Sequence, residues 1–291
     1  MTFDRARPFF GKTLAWRLFK RHHTHFNDIY WANRAAAICT YSCTRPYKTT
    51  DPASALLSLP GNEQRLAATL GEWATHYSAF NQWTQMASIV AICGYLETYI
   101  AQVATAALES SPAIVFGGTK EIDGTVLLKA GNQYDFYAHT EPLVRGDWQS
   151  RISAYSRLFG TCPLEGHLSD LEKLRRHRND AGHSFGRDIK SMRFVESSSV
   201  QSLPRLSDEN IQGYLDLAKK VAAAIEAHVG SQFVGAYEVL RLFHAWRIRQ
   251  SSLSLSPRHA ARGFSTYFYD VTGNSYGVKS FVGLEAYYDA L

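Results

Sequence analysis

Arg178, Asn179 and His183 lie within the six residues Arg178-Asn179-Asp180-Ala181-Gly182-His183, flanked by Arg175, Arg176 and His177 on one side and Arg187 on the other. An imidazole takes up and releases protons near neutral pH. A guanidinium holds a phosphate and the negative charge that grows on it during displacement. These residue types suit cleavage of an RNA phosphodiester without a metal ion. An arginine and a histidine five apart also occur on solvated helix faces, or as positive charge at a helix C-terminus. The elements that carry them therefore decide the reading.

Ser169-Asp170-Leu171-Glu172 has the form of a capping box with Leu168 as its hydrophobic staple, so a helix is predicted to start there and run into the motif. On a straight helix Arg178 and His183 would be about 140° apart around the axis and ~7.5 Å along it, whereas Asn179 and His183, four apart, share a face. Convergence of Arg178 with His183 then needs a bend or stop at Gly182, or a second subunit. Upstream, residues 62–109 contain no proline, and Leu66, Leu70, Trp73, Tyr77 and Phe80, then Trp83, Ala87, Val90 and Gly94, recur at helical spacing. That length predicts a break or two consecutive helices, with 82–108 a central core helix in which Gly94 permits close approach. Downstream, Ser207 is predicted to cap a helix with Asp208 and Glu209 in its first turn. Ile211, Tyr214, Leu215, Ala218, Val221, Ala222 and Ile225 form its apolar stripe, and Gly230 closes it.

The flanking stretches read more simply. Residues 46–60 look like a linker or loose loop, and Gly117-Gly118-Thr119-Lys120 a loop that lacks the spaced glycines of a Walker pattern. Helices are expected at 148–159, ended by Gly160, and at about 233–249, followed by a serine-rich link at 251–257. Tyr/Phe/Val alternation over 265–281 around Thr272-Gly273-Asn274 suggests a small hairpin, with a short helix at 283–291 packing on it.

The chain has 291 residues, 45% of them hydrophobic and 20% charged, which describes an ordered globular protein. It lacks an apolar run long enough to predict a membrane span, and its arginine-rich start lacks the apolar core and cleavage site of a secretory signal. The start is acid-poor, as a mitochondrial presequence is, but nearly free of serine. Cys39, Cys43, Cys93 and Cys162 suggest no disulfide framework, so a cytoplasmic location is expected. His22, His23 and His25 with Cys39 and Cys43 match no common zinc spacing, and Cys39 and Cys43 are also neighbours on an apolar helix. No metal and no cofactor is expected.

The net charge of +5 is held by residues 1–25, with six Lys or Arg against Asp4 alone. A second acid-free stretch carries Arg241, Arg247, Arg249, Arg258 and Arg262 among Phe243, Trp246, Phe264, Tyr267, Phe268 and Tyr269. Cations beside aromatic faces suit single-stranded nucleic acid; equally, the aromatics could pack inward and the arginines only solubilise.

Long apolar helix with Tyr95-Leu96-Glu97-Thr98-Tyr99, loop and short helix, Arg-Asn motif helix, long amphipathic helix: this order, with Arg178, Asn179 and His183, resembles the HEPN superfamily, whose motif is Arg, four to six residues, His. The resemblance covers about residues 70–230. It implies an all-α chain with an up-and-down four-helix bundle at 61–230; outside it lie a basic N-terminal helical extension at 1–60 and a small C-terminal α/β-hairpin extension at 231–291. It also implies a homodimer in which two motifs meet in one cleft, and attack of a ribose 2′-hydroxyl on the adjacent phosphate to leave a cyclic phosphate. Arg178 would bind the phosphate, His183 move the proton, Asn179 orient the histidine or the ribose, and Arg175, Arg176 and Arg187 bind RNA. Glu97 looks like a glutamate found in several subfamilies; it could equally be a partly buried acid paired with an arginine.

The expected function is thus an RNA endonuclease acting as a toxin or defence effector, restrained by an antitoxin or regulatory partner. The alternative is a non-catalytic HEPN-type module that binds RNA, nucleotide or protein; the intact motif favours the enzyme. A third possibility, a structural protein whose stretch Leu14–Lys20 docks on lipid, competes with the expectation of no membrane partner.

Overall fold

The computed structural model describes residues 3–117, 122–132, 134–184, 205–250 and 256–291, apart from the side chains of residues 183 and 184. Among them the chain is all-α. Its helices are α1 (Leu14–Thr44), α2 (Leu70–Ser110), the short α3 (Ala113–Phe116) and α4 (Gly124–Lys129), α5 (Tyr137–Val144), α6 (Trp148–Phe159), α7 (Leu168–Ser184), α8 (Asp208–Ile225), α9 (Tyr237–Arg249), α10 (Pro257–Thr272) and α11 (Lys279–Ala290). Two compact units result: a first of Met1–Lys20, Leu96–Leu168 and Lys220–Leu291, and a second of Arg21–Tyr95 and Ser169–Lys219. This division cuts across the expected boundaries at 60 and 230.

α2 is one helix of 41 residues, without the expected break. Its sequence is apolar nearly all round, so periodicity alone could not select the inward face. The buried line is Met86, Ile89, Ile92, Cys93 and Leu96, while Phe80, Trp83 and Val90 from the anticipated stripe are exposed. A Cβ at Gly94 would meet nothing, so this glycine is not there for close approach. By length and composition α2 could cross a membrane; core helices meet the same criteria.

In the second unit, every residue of the predicted α8 stripe up to Ala218 is buried, as are Leu171, Leu174 and Ala181 of α7. Ser207 caps α8 as expected, its Oγ accepting from the Asn210 N–H at 3.2 Å. Asp208 accepts from Tyr30 of α1 at 2.6 Å, from Arg34 Nε at 2.9 Å and from Gln85 of α2 at 3.3 Å. Burial raises its carboxyl pKa, but these hydrogen bonds and the Arg34 charge outweigh that and hold it below the usual range. Within residues 46–60 the chain is pinned at positions 49–53. The Leu70 and Gly71 N–H groups bond to the Asp51 and Thr49 carbonyls at 2.9 Å, and Ala53 is buried.

In the first unit, the start of α1 is capped by two buried acids. Glu226 accepts from the Thr13 N–H at 2.8 Å and the Thr13 hydroxyl at 2.7 Å; Glu238 accepts from the Leu14 N–H at 2.5 Å and the Ala15 N–H at 3.0 Å. These carboxylates satisfy the free N–H groups and complement the positive end of a 31-residue helix. Glu226 opens a π-helical stretch, Glu226–Val234, that carries the chain on past Ile225, so Gly230 does not close α8. The closing residue is Gly235, at φ 54°, where the Arg5 carbonyl occupies the place of a side chain.

The C-terminal hairpin is replaced by two helices. Ala260, Ala261, Phe264 and Phe268 of α10 are buried at helical spacing, and Gly273, in the left-handed conformation at φ 68°, ends the helix with its N–H on the Tyr269 carbonyl at 2.7 Å. The Thr-Gly-Asn signal was a helix stop, not a hairpin turn.

Candidate functional site

α7 holds the motif. The helix already includes Leu168, continuing from a 3₁₀ turn at Glu165–His167, so Ser169 lies inside it instead of capping it. Glu172 turns to Arg175, whose Nε donates to it at 2.8 Å. Gly182 does not end α7, which runs to Ser184. Arg178 and position 183 are therefore separated by about 140° of helix and ~7.5 Å of rise. Arg176, Asn179 and position 183 follow one face; Arg175 and Arg178 follow another.

Leu171, Leu174 and Ala181 span roughly 80° of the helix circumference, and Arg178 falls inside that arc. The three are buried while Arg178 is exposed. A long arginine side chain at such a position carries its guanidinium past the buried residues to solvent. Arg178 Nη1 donates to the Asn179 side-chain carbonyl at 3.3 Å, tying the two motif residues together. Arg176 is exposed, with Nε 3.4 Å from the Glu172 carbonyl. The His183 side chain and all of Arg187 lie outside the described residues.

The sequence reading treated His177 as part of the basic run and gave it no role. Its ring packs on Tyr214, 5.9 Å between centroids. Burial, helped by the Lys173 and Arg176 charges and opposed by Asp180, lowers its pKa. The signal available was the spacing Lys173-His177-Asp180, which puts three titratable groups on one helix face.

Glu97 belongs to the first unit, where Arg151 Nη2 donates to it at 3.0 Å. The Arg151 side chain is buried, lies over Trp148 at 4.7 Å, and donates from Nε to the Gly146 carbonyl at 3.2 Å. Glu97 thus has the arginine partner that its second reading required.

The two basic stretches are largely occupied within the fold. Arg5 is paired with Asp123 at 2.8 Å and donates to the Val234 carbonyl at 3.0 Å; Arg17 donates to Asn274 at 3.0 Å and lies over Phe10. Arg241 pairs with Glu109, Arg247 with Glu285, and Arg249 lies over Tyr267. Phe243, Trp246, Phe264 and Phe268 are buried in one cluster, onto which Phe3, Phe9 and Phe10 pack. The inward-packing reading of these aromatics holds. Likewise Phe19 is buried and, with Trp16, packs on Tyr99 at 5.3 and 6.1 Å, so the aromatic side of Leu14–Lys20 is turned inward.

Among the described residues no cluster of three His, Cys, Asp or Glu has metal-binding geometry. His22 stacks on Tyr95 and His23 donates to the Leu215 carbonyl, while Cys39 and Cys43 are exposed. No family model, curated protein or solved structure matches the chain.

Proposed function

We propose that this chain is a metal-independent RNA endonuclease of the HEPN kind, with α7 as its catalytic helix. The observation that carries the reading is Arg178: it sits in the buried arc of α7, is nonetheless exposed, and is bonded to Asn179. An exposed guanidinium on the motif helix, beside Asn179, is a group that can meet a phosphate.

In the proposed reaction a ribose 2′-oxygen forms a bond to the adjacent phosphorus and the bond from phosphorus to the 5′-oxygen breaks. A 2′,3′-cyclic phosphate and a 5′-hydroxyl result. His183 accepts the 2′-hydroxyl proton or donates one to the leaving oxygen. Arg178 stabilises the charge on the phosphoryl oxygens. Asn179 orients the histidine or the ribose, and Arg175, Arg176 and Arg187 steer RNA. Glu97 is left out of the chemical step because Arg151 engages its carboxylate.

The angular separation of Arg178 and His183 on one straight helix is met by a homodimer, in which one protomer's arginine works beside its partner's histidine. The same separation gives a second reading some support: a chain that stays monomeric has an arginine-rich binding helix but no assembled acid–base pair. One experiment separates them. Purified protein is incubated with total RNA, with and without EDTA, beside His183→Ala. The enzyme reading expects EDTA-resistant cleavage that the substitution abolishes; RNA binding without cleavage supports the binding module. Toxin or defence activity, and restraint by an antitoxin or regulator, are part of the same proposal: an unrestrained ribonuclease is harmful to its own cell.

A further inference from the structure

The first unit contains a groove of about 470 Å³ beside the start of α1. Leu18, Ala101, Ala106, Val144, Leu242 and Val271 give it apolar walls. A space of this size, mostly apolar with a few polar groups, fits a small organic molecule. Its charged lining is Glu238, Glu141 and Arg241. Arg241 is already engaged by Glu109 at 3.3 Å, and Glu141 by Arg145 and by the Tyr137 hydroxyl. Glu238 differs from both. It is buried against α1, accepts the Leu14 and Ala15 N–H groups, and among the described residues forms no ion pair with a Lys, Arg or His. The neighbouring buried acid, Glu226, also accepts from backbone and hydroxyl groups.

Two N–H bonds use about half of a carboxylate's roughly four acceptor positions. A buried carboxylate without a paired cation is costly, and a cation that reaches it from an apolar groove gains accordingly. We propose that this groove binds a small organic amine with an apolar body, its ammonium group seated on the Glu238 carboxylate and its hydrocarbon against Leu18, Val144 and Leu242. The site is separate from α7 and does not depend on the nuclease reading. Burial, helped by the Glu226 charge, raises the Glu238 pKa to about 7, although the two N–H bonds and the Arg241 charge oppose that shift. An ammonium partner would hold the carboxyl in its charged form.

The test is calorimetric titration of the full chain with 2-phenylethylamine, 2-phenylethanol and phenylacetate, which share a ring and differ in the polar end. The amine is expected to bind at least about tenfold more tightly than either of the others. Val271→Trp, at an exposed position on the groove wall, is expected to weaken the amine by a similar factor while leaving the circular dichroism spectrum unchanged. Glu238→Gln is expected to erase the preference for amine over alcohol. Should that variant fail to fold, the three ligands and Val271→Trp still decide. Absence of binding, equal binding of amine and alcohol, tighter binding of phenylacetate, or indifference to Val271→Trp each overturns the proposal.

Discussion

Arg178 is held by a hydrogen bond to Asn179 and by a helix that fixes its direction, so its replacement tests chemistry with little disturbance of the core. Arg178→Ala and His183→Ala are each expected to slow RNA cleavage by ~10²-fold or more, with unchanged circular dichroism and thermal midpoint. Full activity in Arg178→Ala, or in both His183→Ala and His177→Gln, would end the ribonuclease reading. Arg178→Lys keeps the charge but not the planar fork and should recover only part of the rate. His177→Gln is the control for the neighbouring imidazole: loss of cleavage there, with His183→Ala active, would transfer the proton-moving role to His177. A second residue-scale expectation concerns pH. Burial lifts Glu238 from an ordinary carboxyl value to about 7. Between pH 4.5 and 7 the native state then binds the proton that the unfolded state has released. Stability contributed by this residue is complete below about 4.5 and is lost as pH rises through about 7, a change on the order of 3 kcal/mol. Denaturation of wild type and Glu238→Gln across that range checks it: the variant's stability should fall less steeply with rising pH. Equal slopes would refute it.

At the scale of the element, α10 offers a clean test of the helix that stands where a hairpin was expected. Phe264 is fully buried among Phe243, Trp246, Phe268 and Phe281. Phe264→Ala should cost about 3–5 kcal/mol, read by urea denaturation; a loss below 1 kcal/mol would mean that α10 is not packed there. Legibility in the sequence followed one physical rule. Where apolar and polar residues alternate clearly around a helix, as in α8, the reading recovered cap and stripe residue by residue. Where almost every residue is apolar, as in α2 between Ala87 and Cys93, the pattern contains no direction. Phe80, Trp83 and Val90 were then assigned to a face they do not occupy. In α10 the tyrosines and phenylalanines fit both a period of two and a period of 3.6, and the deciding residues were Ala260 and Ala261, small enough to be overlooked. The motif was legible as residue types. Its helical continuity through Gly182, and the pairing of Glu97 with Arg151, depended on neighbours distant in sequence.

For the whole molecule, oligomeric state and the N-terminal segment carry the expectations. If two copies share a site, mixing Arg178→Ala and His183→Ala protomers should restore cleavage above that of either alone, because one mixed arrangement contains an intact arginine and an intact histidine. No recovery on mixing, together with a monomer by sedimentation, would rule that out. Deletion of residues 1–25 could have been expected to weaken RNA binding mainly at low salt. The packing of Phe3, Phe9 and Phe10, the Arg5–Asp123 pair and the capped start of α1 place that segment in a core instead. Deleting residues 1–13 should therefore lower the thermal midpoint and cause aggregation; a shortened chain as stable as the full one would overturn this.

The same packing has a consequence for how the protein is made. Phe9 is stacked on Phe281, and the Ala236 N–H bonds to the Arg5 carbonyl. Arg5 and Phe9 thus wait for partners that leave the ribosome more than two hundred residues later. At about 5–20 residues per second that wait lasts on the order of ten seconds or more. Until it ends, three phenylalanines and the uncapped first turn of α1 are open to chaperones, and the nascent first unit has no route to its finished core.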